Sequence, residues 1–243
     1  MILRRSPDHR RARQLAASPG VALPEGALRR YLAQPFPPLG TDHTSLRLLA
    51  VDLETTGLDP DHDRIVSLGF VPVDGTSIVL GGAGQAVVRG SGGVGPEGVG
   101  QSATVHGLTD DAVAAGVELA DALDLLLEAL TGRVLLAHHA AIEQGFLDVA
   151  CRRVHGQPLP TLAVDTMALE HRLVTAGWQT GWDREPPQGG LRLPAARERH
   201  GLPRYRSHDA LTDALACAEL YLAQVAELGR GRPVTLRQLT KGG

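Results

Sequence analysis

Two cysteines, Cys151 and Cys217, are all that the 243 residues contain. That is too few for a disulfide framework, and no CxxC pair suggests a zinc site. Aromatic residues make up only 3% of the chain, which argues against extensive base stacking on Phe, Tyr or Trp. Lysine is almost missing: Lys241 is the single one among 24 basic residues, so cationic contacts fall to arginine, the fork-shaped partner of phosphate oxygens. No apolar run approaches the ~18 residues that a membrane span needs, and the Arg-rich start lacks the apolar centre of a secretory signal. A soluble, intracellular (cytoplasmic) protein without a membrane partner is therefore expected. A net charge of −3 speaks against a passive binder that holds nucleic acid on a basic face. It leaves room for an enzyme that handles phosphates through metal ions, because such a site is itself acidic.

With 43% apolar and 21% charged residues the chain can bury a proper core. Residues 1–45 read as an N-terminal extension: arginines at 4, 5, 10, 11 and 13, then a short apolar helix face at Leu28, Tyr31 and Leu32, then the extended linker Gln34–Thr41. A transit peptide is the other reading of that basic start. An α/β domain is expected over 46–228, and 229–243 reads as a frayed C-terminal tail.

Within the domain, apolar runs predict strands at Leu46–Asp52, Ile65–Val73, Arg133–Ala137 and Leu162–Asp165, with weaker ones at Ile78–Leu80 and Gln85–Val88. Helical spacing predicts helices over Glu118–Leu130, Ala141–His155, Met167–Val174, Pro194–Gly201 and His208–Leu228, the last capped by Ser207. The glycine-rich stretch from Gly90 to Gly100 lacks the GK[ST] ending of a phosphate loop and reads as a surface connection.

Three segments carry chemistry. In Val51–Gly57, Asp52 and Glu54 are two apart in a strand and so point to one side. Paired carboxylates either bind a cation that neutralises them or form a solvated strand end. Oxygen ligands suit Mg²⁺ or Mn²⁺ rather than zinc. In Tyr205–Asp213, His208 opens a helix and Asp213 follows five positions on, so a base could sit beside a metal ligand if His208 leans round from the first turn. The alternative makes Asp209 a favourable first-turn charge and His208 merely exposed. In Leu136–Leu147, a strand end leads to a helix with Glu143 in its first turn, which alone means little.

Taken together, the segments resemble the DnaQ-like 3′–5′ exonucleases, the superfamily of the proofreading epsilon subunit of bacterial DNA polymerase III, over roughly Leu46–Ala226. Asp52–Gly57 matches the first motif, His208 with Asp213 the third, and Val105–Thr109 the family's His-Gly-Ile-Thr segment. The resemblance implies a ribonuclease-H-like mixed sheet of about five strands with helices on both faces. It also implies two divalent cations, Mg²⁺ or Mn²⁺, held by Asp52, Glu54, Glu143 and Asp213, with His208 as the base. Thr55, Thr56 and His106 become substrate-pocket candidates, although both threonines could simply bond the turn backbone. The implied activity is stepwise release of nucleoside 5′-monophosphates from single-stranded DNA 3′ ends, within or apart from a polymerase or repair complex. RNA trimming, or a binding module of this fold with little turnover, are the alternatives. One departure stands out. The second motif reads Ala137–Glu143, with His139 for the usual Asn and Glu143 for the usual Asp, and the longer acid is expected to act through a water. Trp178 and Trp182 read as packing residues rather than base-stacking ones.

Overall fold

The computed structural model describes residues 25–90, 114–176, 189–205 and 208–240. The arginines at 4–13, His106, Trp178, Trp182, Ser207 and most of the glycine-rich stretch lie outside them.

A mixed sheet organises the chain. Its centre is β1 (Arg47–Thr55), antiparallel to β2 (Ile65–Asp74) on one side and parallel to β5 (Val134–Ala137) on the other. Beyond β5 lies β6 (Ala163–Asp165), also parallel, while β3 (Ser77–Ile78) and β4 (Gly84–Val87) both pair antiparallel with β2. The sheet thus has six strands rather than about five, the extra one being the two-residue β3 that follows the turn at Gly75. All of β2 except Asp74 is buried, as a strand covered on both faces must be.

The strand period of two divides the core. Leu49, Val51 and Leu53 of β1, with Leu68 and Phe70 of β2, join one apolar cluster. Three helices cover this face: α1 (Ala27–Ala33), α2 (Leu119–Leu130) and α3 (Ala141–His155). Leu48 and Ala50, with Val71 and Val73, join a second cluster on the opposite face. There α4 (Thr166–Ala176), α6 (Ala210–Gly229) and α7 (Leu236–Leu239) pack, with α5 (Leu193–Arg199) against α6. Fold class and helix placement agree with the ribonuclease-H-like expectation.

The apolar helix face expected at Leu28, Tyr31 and Leu32 forms, while the stretch after Gly229 departs from a frayed tail. α1 buries Ala27, Leu28, Tyr31 and Leu32, and the Tyr31 hydroxyl donates to the Pro160 carbonyl at 2.7 Å. The stretch after Gly229 is not frayed through its length. Val234, Leu236 and Leu239 are buried, and the segment pairs with the linker through Leu236 N–H to Thr41 O (2.9 Å) and Arg237 N–H to Leu39 O (2.7 Å). Three apolar side chains are too few to signal an element in a sequence, yet they suffice once a second segment supplies the backbone partners.

Candidate active site

Asp52 and Glu54 continue the face of β1 that holds Leu48 and Ala50, so they point toward α6. What brings α6 close is a glycine on the neighbouring strand. Gly69 is the register partner of Asp52, and a Cβ there would lie 2.3 Å from the backbone of Ala210 and Leu211. The bare Gly69 therefore lets the first turn of α6 rest on the sheet beside Asp52. That helix starts at Ala210, two residues later than expected, because Asp209 rather than Ser207 caps it, accepting from Thr212 N–H at 2.8 Å. Asp213 lies in its first turn. The result is that Asp52, Glu54 and Asp213 each present a carboxylate oxygen within 4.8 Å of the others.

Two of these acids hold their protons more tightly than ordinary carboxyls. Burial first, then the charges of Asp213, Glu54 and Asp209, push Asp52 well above the usual carboxylate range. Burial likewise raises Asp213, against the opposing help of a hydrogen bond from His208. That bond is a backbone one: His208 N–H donates to Asp213 Oδ2 at 2.8 Å. His208 itself sits just before the cap, exposed, with φ of 74°, a left-handed conformation uncommon for residues other than glycine. It does not lie in the helix, as the spacing suggested, but is tied to Asp213 through its own backbone.

Glu143 sits in the first turn of α3 and is buried; its Oε2 has no hydrogen-bond partner among the described residues. It stands outside the group of three, near enough for the charge of Asp52, after burial, to raise it well above the ordinary range. Its helix start is held by Asp165 at the end of β6. That carboxylate accepts from His139 N–H (2.9 Å), Ala140 N–H (3.2 Å) and Met167 N–H (2.9 Å), clasping the starts of α3 and α4 together. His139, in place of the usual Asn, adopts φ of 77°, where the Asp165 bond holds it. His138 is half-buried, its ring nitrogens bonded to Thr166 Oγ1 (2.9 Å) and Leu191 O (2.8 Å), and desolvation pushes its pKa down to about 4, so the ring is a neutral structural link.

The threonine hydroxyls serve their own loop. Thr55 Oγ1 donates to Gly57 O at 2.6 Å, and Thr56 Oγ1 bonds Asp63 Oδ1 and Arg64 N–H, each at 3.0 Å. His106 lies outside the described residues. Gly69 and Asp165 are the two contributors that sequence reasoning passed over. A lone glycine inside a strand signals close backbone approach, and an acid at a strand end was visible, but neither said what it would meet.

Residues 49–221 match the exonuclease family named for RNase T. The chain belongs to that family. Within it, the exonuclease domain is 26% identical over 184 residues to DNA polymerase III subunit epsilon of Treponema pallidum, covering 76% of this chain and 79% of that one. It is also 26% identical over 179 residues to DNA polymerase III PolC-type of Thermotoga maritima, covering 72% of this chain but only 11% of that much longer protein. Among solved structures, the fold matches Exonuclease I of Methylocaldum szegediense with a TM-score of 0.58 at 21% identity, over 75% of this chain and 40% of that one. E. coli Exonuclease I in complex with a dT13 oligonucleotide matches with a TM-score of 0.58 at 17% identity, over 75% and 41%. The domain is thus a DnaQ-like exonuclease fold of the superfamily that the motifs resembled.

Proposed function

We propose that the protein shortens single-stranded DNA from its 3′ end, hydrolysing the terminal phosphodiester and releasing nucleoside 5′-monophosphates. The observation that carries this reading is the convergence of Asp52, Glu54 and Asp213 oxygens within 4.8 Å, from the two family motifs at opposite ends of the domain.

The donor set fits divalent cations. Three crowded carboxylates and the unpartnered, buried Glu143 Oε2 are destabilised by one another and by burial, and only a cation or protons relieve that. Their oxygens suit Mg²⁺ or Mn²⁺. Asp52, Glu54 and Asp213 would hold one, and Asp52 with Glu143, the latter through water, a second. Divalent cations at such a site offset charge on the phosphate and lower the pKa of an attacking water. His208 takes the proton of that water as it attacks phosphorus. The P–O3′ bond breaks, and the 3′ oxygen of the shortened strand is protonated. The backbone bond from His208 to Asp213 keeps the base and the cation ligand in one unit. Thr55 and Thr56 hold the loop beside the reacting phosphate, and their backbone lines the terminal nucleotide; the family resemblance adds His106 as a substrate-pocket residue.

The DNA substrate and a role beside a polymerase, as in proofreading, rest on the kinship with polymerase III proteins and on the Exonuclease I fold. No helix among the described residues is long and apolar enough to cross a membrane, and we place the protein in the cytoplasm with its nucleic acid. One observation favours a second reading, a binding module of low turnover: Glu143 lies outside the group of three.

The test uses 5′-labelled single strands of DNA and of RNA with Mg²⁺ or Mn²⁺. Stepwise shortening of DNA from the 3′ end, lost in Asp52→Ala, is expected. Binding without shortening would support the module, and faster shortening of RNA would reassign the substrate.

A further inference from the structure

At the far end of α6 from the carboxylates, Arg172, Arg230 and Arg232 line a cleft of about 530 Å³, together with Leu228, Pro233 and Gln238. No carboxylate among the described residues lines it. The last acid of α6, Glu227, pairs with His200 at 3.5 Å. The guanidiniums of Arg230 and Arg232 make no hydrogen bond or ion pair among the described residues. Arg172 uses one donor, Nη1 to Gln238 O at 2.6 Å, which fixes the plane of its fork and leaves the other N–H groups available.

These arginines are displayed by an ordered turn. Arg230 has φ of 45° and Gly231 φ of 78°, and Arg232 N–H closes the turn on Gly229 O at 2.8 Å. Buried Val234 anchors it to the core, with Cγ2 only 3.2 Å from where a Gly229 Cβ would be. A non-glycine residue held left-handed is strained by about 1 kcal/mol or more. A cleft with three guanidiniums, and among the described residues no lining acid and two forks without a partner, is built for several phosphate oxygens at once. Its size exceeds one phosphate.

We infer that this cleft is a second contact for the sugar-phosphate backbone of the strand whose 3′ end lies at the carboxylates; the inference rests on the nuclease reading above. From Asp213 to Arg230 the helix spans roughly 26 Å at ~1.5 Å per residue. A stacked strand advances about 3.4 Å per phosphate, so a strand of about eight nucleotides reaches the cleft and one of about four does not. The arginines thereby grip upstream chain without touching the scissile bond, and they favour long strands over short ones.

The test is binding rather than turnover. In an Asp52→Asn background, the affinities of labelled DNA strands of about 20 and about 4 nucleotides are measured by fluorescence anisotropy between about 50 and 200 mM salt. Adding Arg230→Gly and Arg232→Gln should weaken the long strand several-fold and lower its log Kd against log salt slope by about 1.4, two contacts at ~0.7 each, with the short strand unmoved. Glycine is at ease at φ of 45°, so loss of fold does not explain a loss of binding; the melting temperature verifies this. An unchanged slope for the long strand overturns the inference, as does a loss of poly-glutamate binding with DNA binding intact. A wild-type protein that binds DNA with this slope but shortens none refutes the nuclease reading alone.

Discussion

Replacing Gly69 with alanine adds one methyl group on β2 and alters none of the acids of the site, and should nevertheless cost most of the activity. The new Cβ would sit 2.3 Å from Ala210 C and Leu211 N and 2.4 Å from Ala210 O. These are backbone atoms in the first turn of α6, not the ends of flexible side chains, so nothing local can swing aside. Restoring an ordinary carbon contact of about 3.5 Å moves the helix start outward by roughly 1 Å. Asp213, in that same turn, moves with it, and so does His208, bonded to Asp213 Oδ2. Site geometry is held to about 0.5 Å, and a displacement of about 1 Å costs on the order of 100-fold in rate. Overpacking of this kind costs about 1–3 kcal/mol of stability, so most of the protein remains folded. The assay is single-turnover shortening of a 5′-labelled strand at saturating Mn²⁺, with the melting temperature as control. A Gly69→Ala protein that melts a few degrees lower and cuts about 100-fold more slowly fits the account. Wild-type rate and metal affinity in Gly69→Ala would refute the link between that close approach and the acid cluster.

Other outcomes follow from the same geometry. Asp213→Asn keeps an oxygen for the His208 N–H but removes one charge from the crowded group; activity should fall at least 100-fold while the metal-free protein melts no lower than wild type. Burial and mutual repulsion raise Asp52, Asp213 and Glu143, so their protons are held more tightly folded than unfolded. Such groups contribute stability below their unfolded pKa values, and the contribution is lost as pH rises through the raised folded ones. The metal-free protein should therefore melt higher near pH 5 than near pH 8, and Mn²⁺ should flatten that slope while releasing protons in calorimetry. Ending the chain after Arg232 removes the buried side chains of Val234, Leu236 and Leu239, at about 1.5–3 kcal/mol each, and should lower the melting temperature sharply, whereas ending it after Thr240 should not.

The sequence made the strands and helices largely legible because their signals are local. β5 and α3 run where apolar period and spacing put them, and α6 is a long apolar-faced helix whose only surprise is its start. The surprise has a physical cause: Asp209 and Ser207 are both competent caps, and only the packing of Ala210 on Gly69 decides between them. The pairing of Asp52 with Glu54 was readable from the period of two. Their meeting with Asp213 was not, because it depends on a contact between residues 52 and 213 that only the family resemblance suggested. Asp165 shows the limit in the other direction. It closes an apolar run as Asp52 does in the sequence, yet β1 runs on to Thr55 whereas β6 ends at Asp165, whose carboxylate is spent on backbone N–H groups of two helix starts, a use that spacing does not encode. The order of the C-terminal segment is not legible in its own residues, because it comes from the linker with which Leu236 and Arg237 pair.

The central claim is that Asp52, Glu54 and Asp213 together hold a divalent cation for hydrolysis at a 3′ end. Diffraction at the manganese edge from crystals soaked in Mn²⁺ and a nucleoside 5′-monophosphate tests it directly. The account predicts an anomalous peak within ~2.0–2.3 Å of an oxygen from each of the three carboxylates, with the phosphate beside it. Manganese bound elsewhere, or no peak among those three acids at saturating metal, would contradict it.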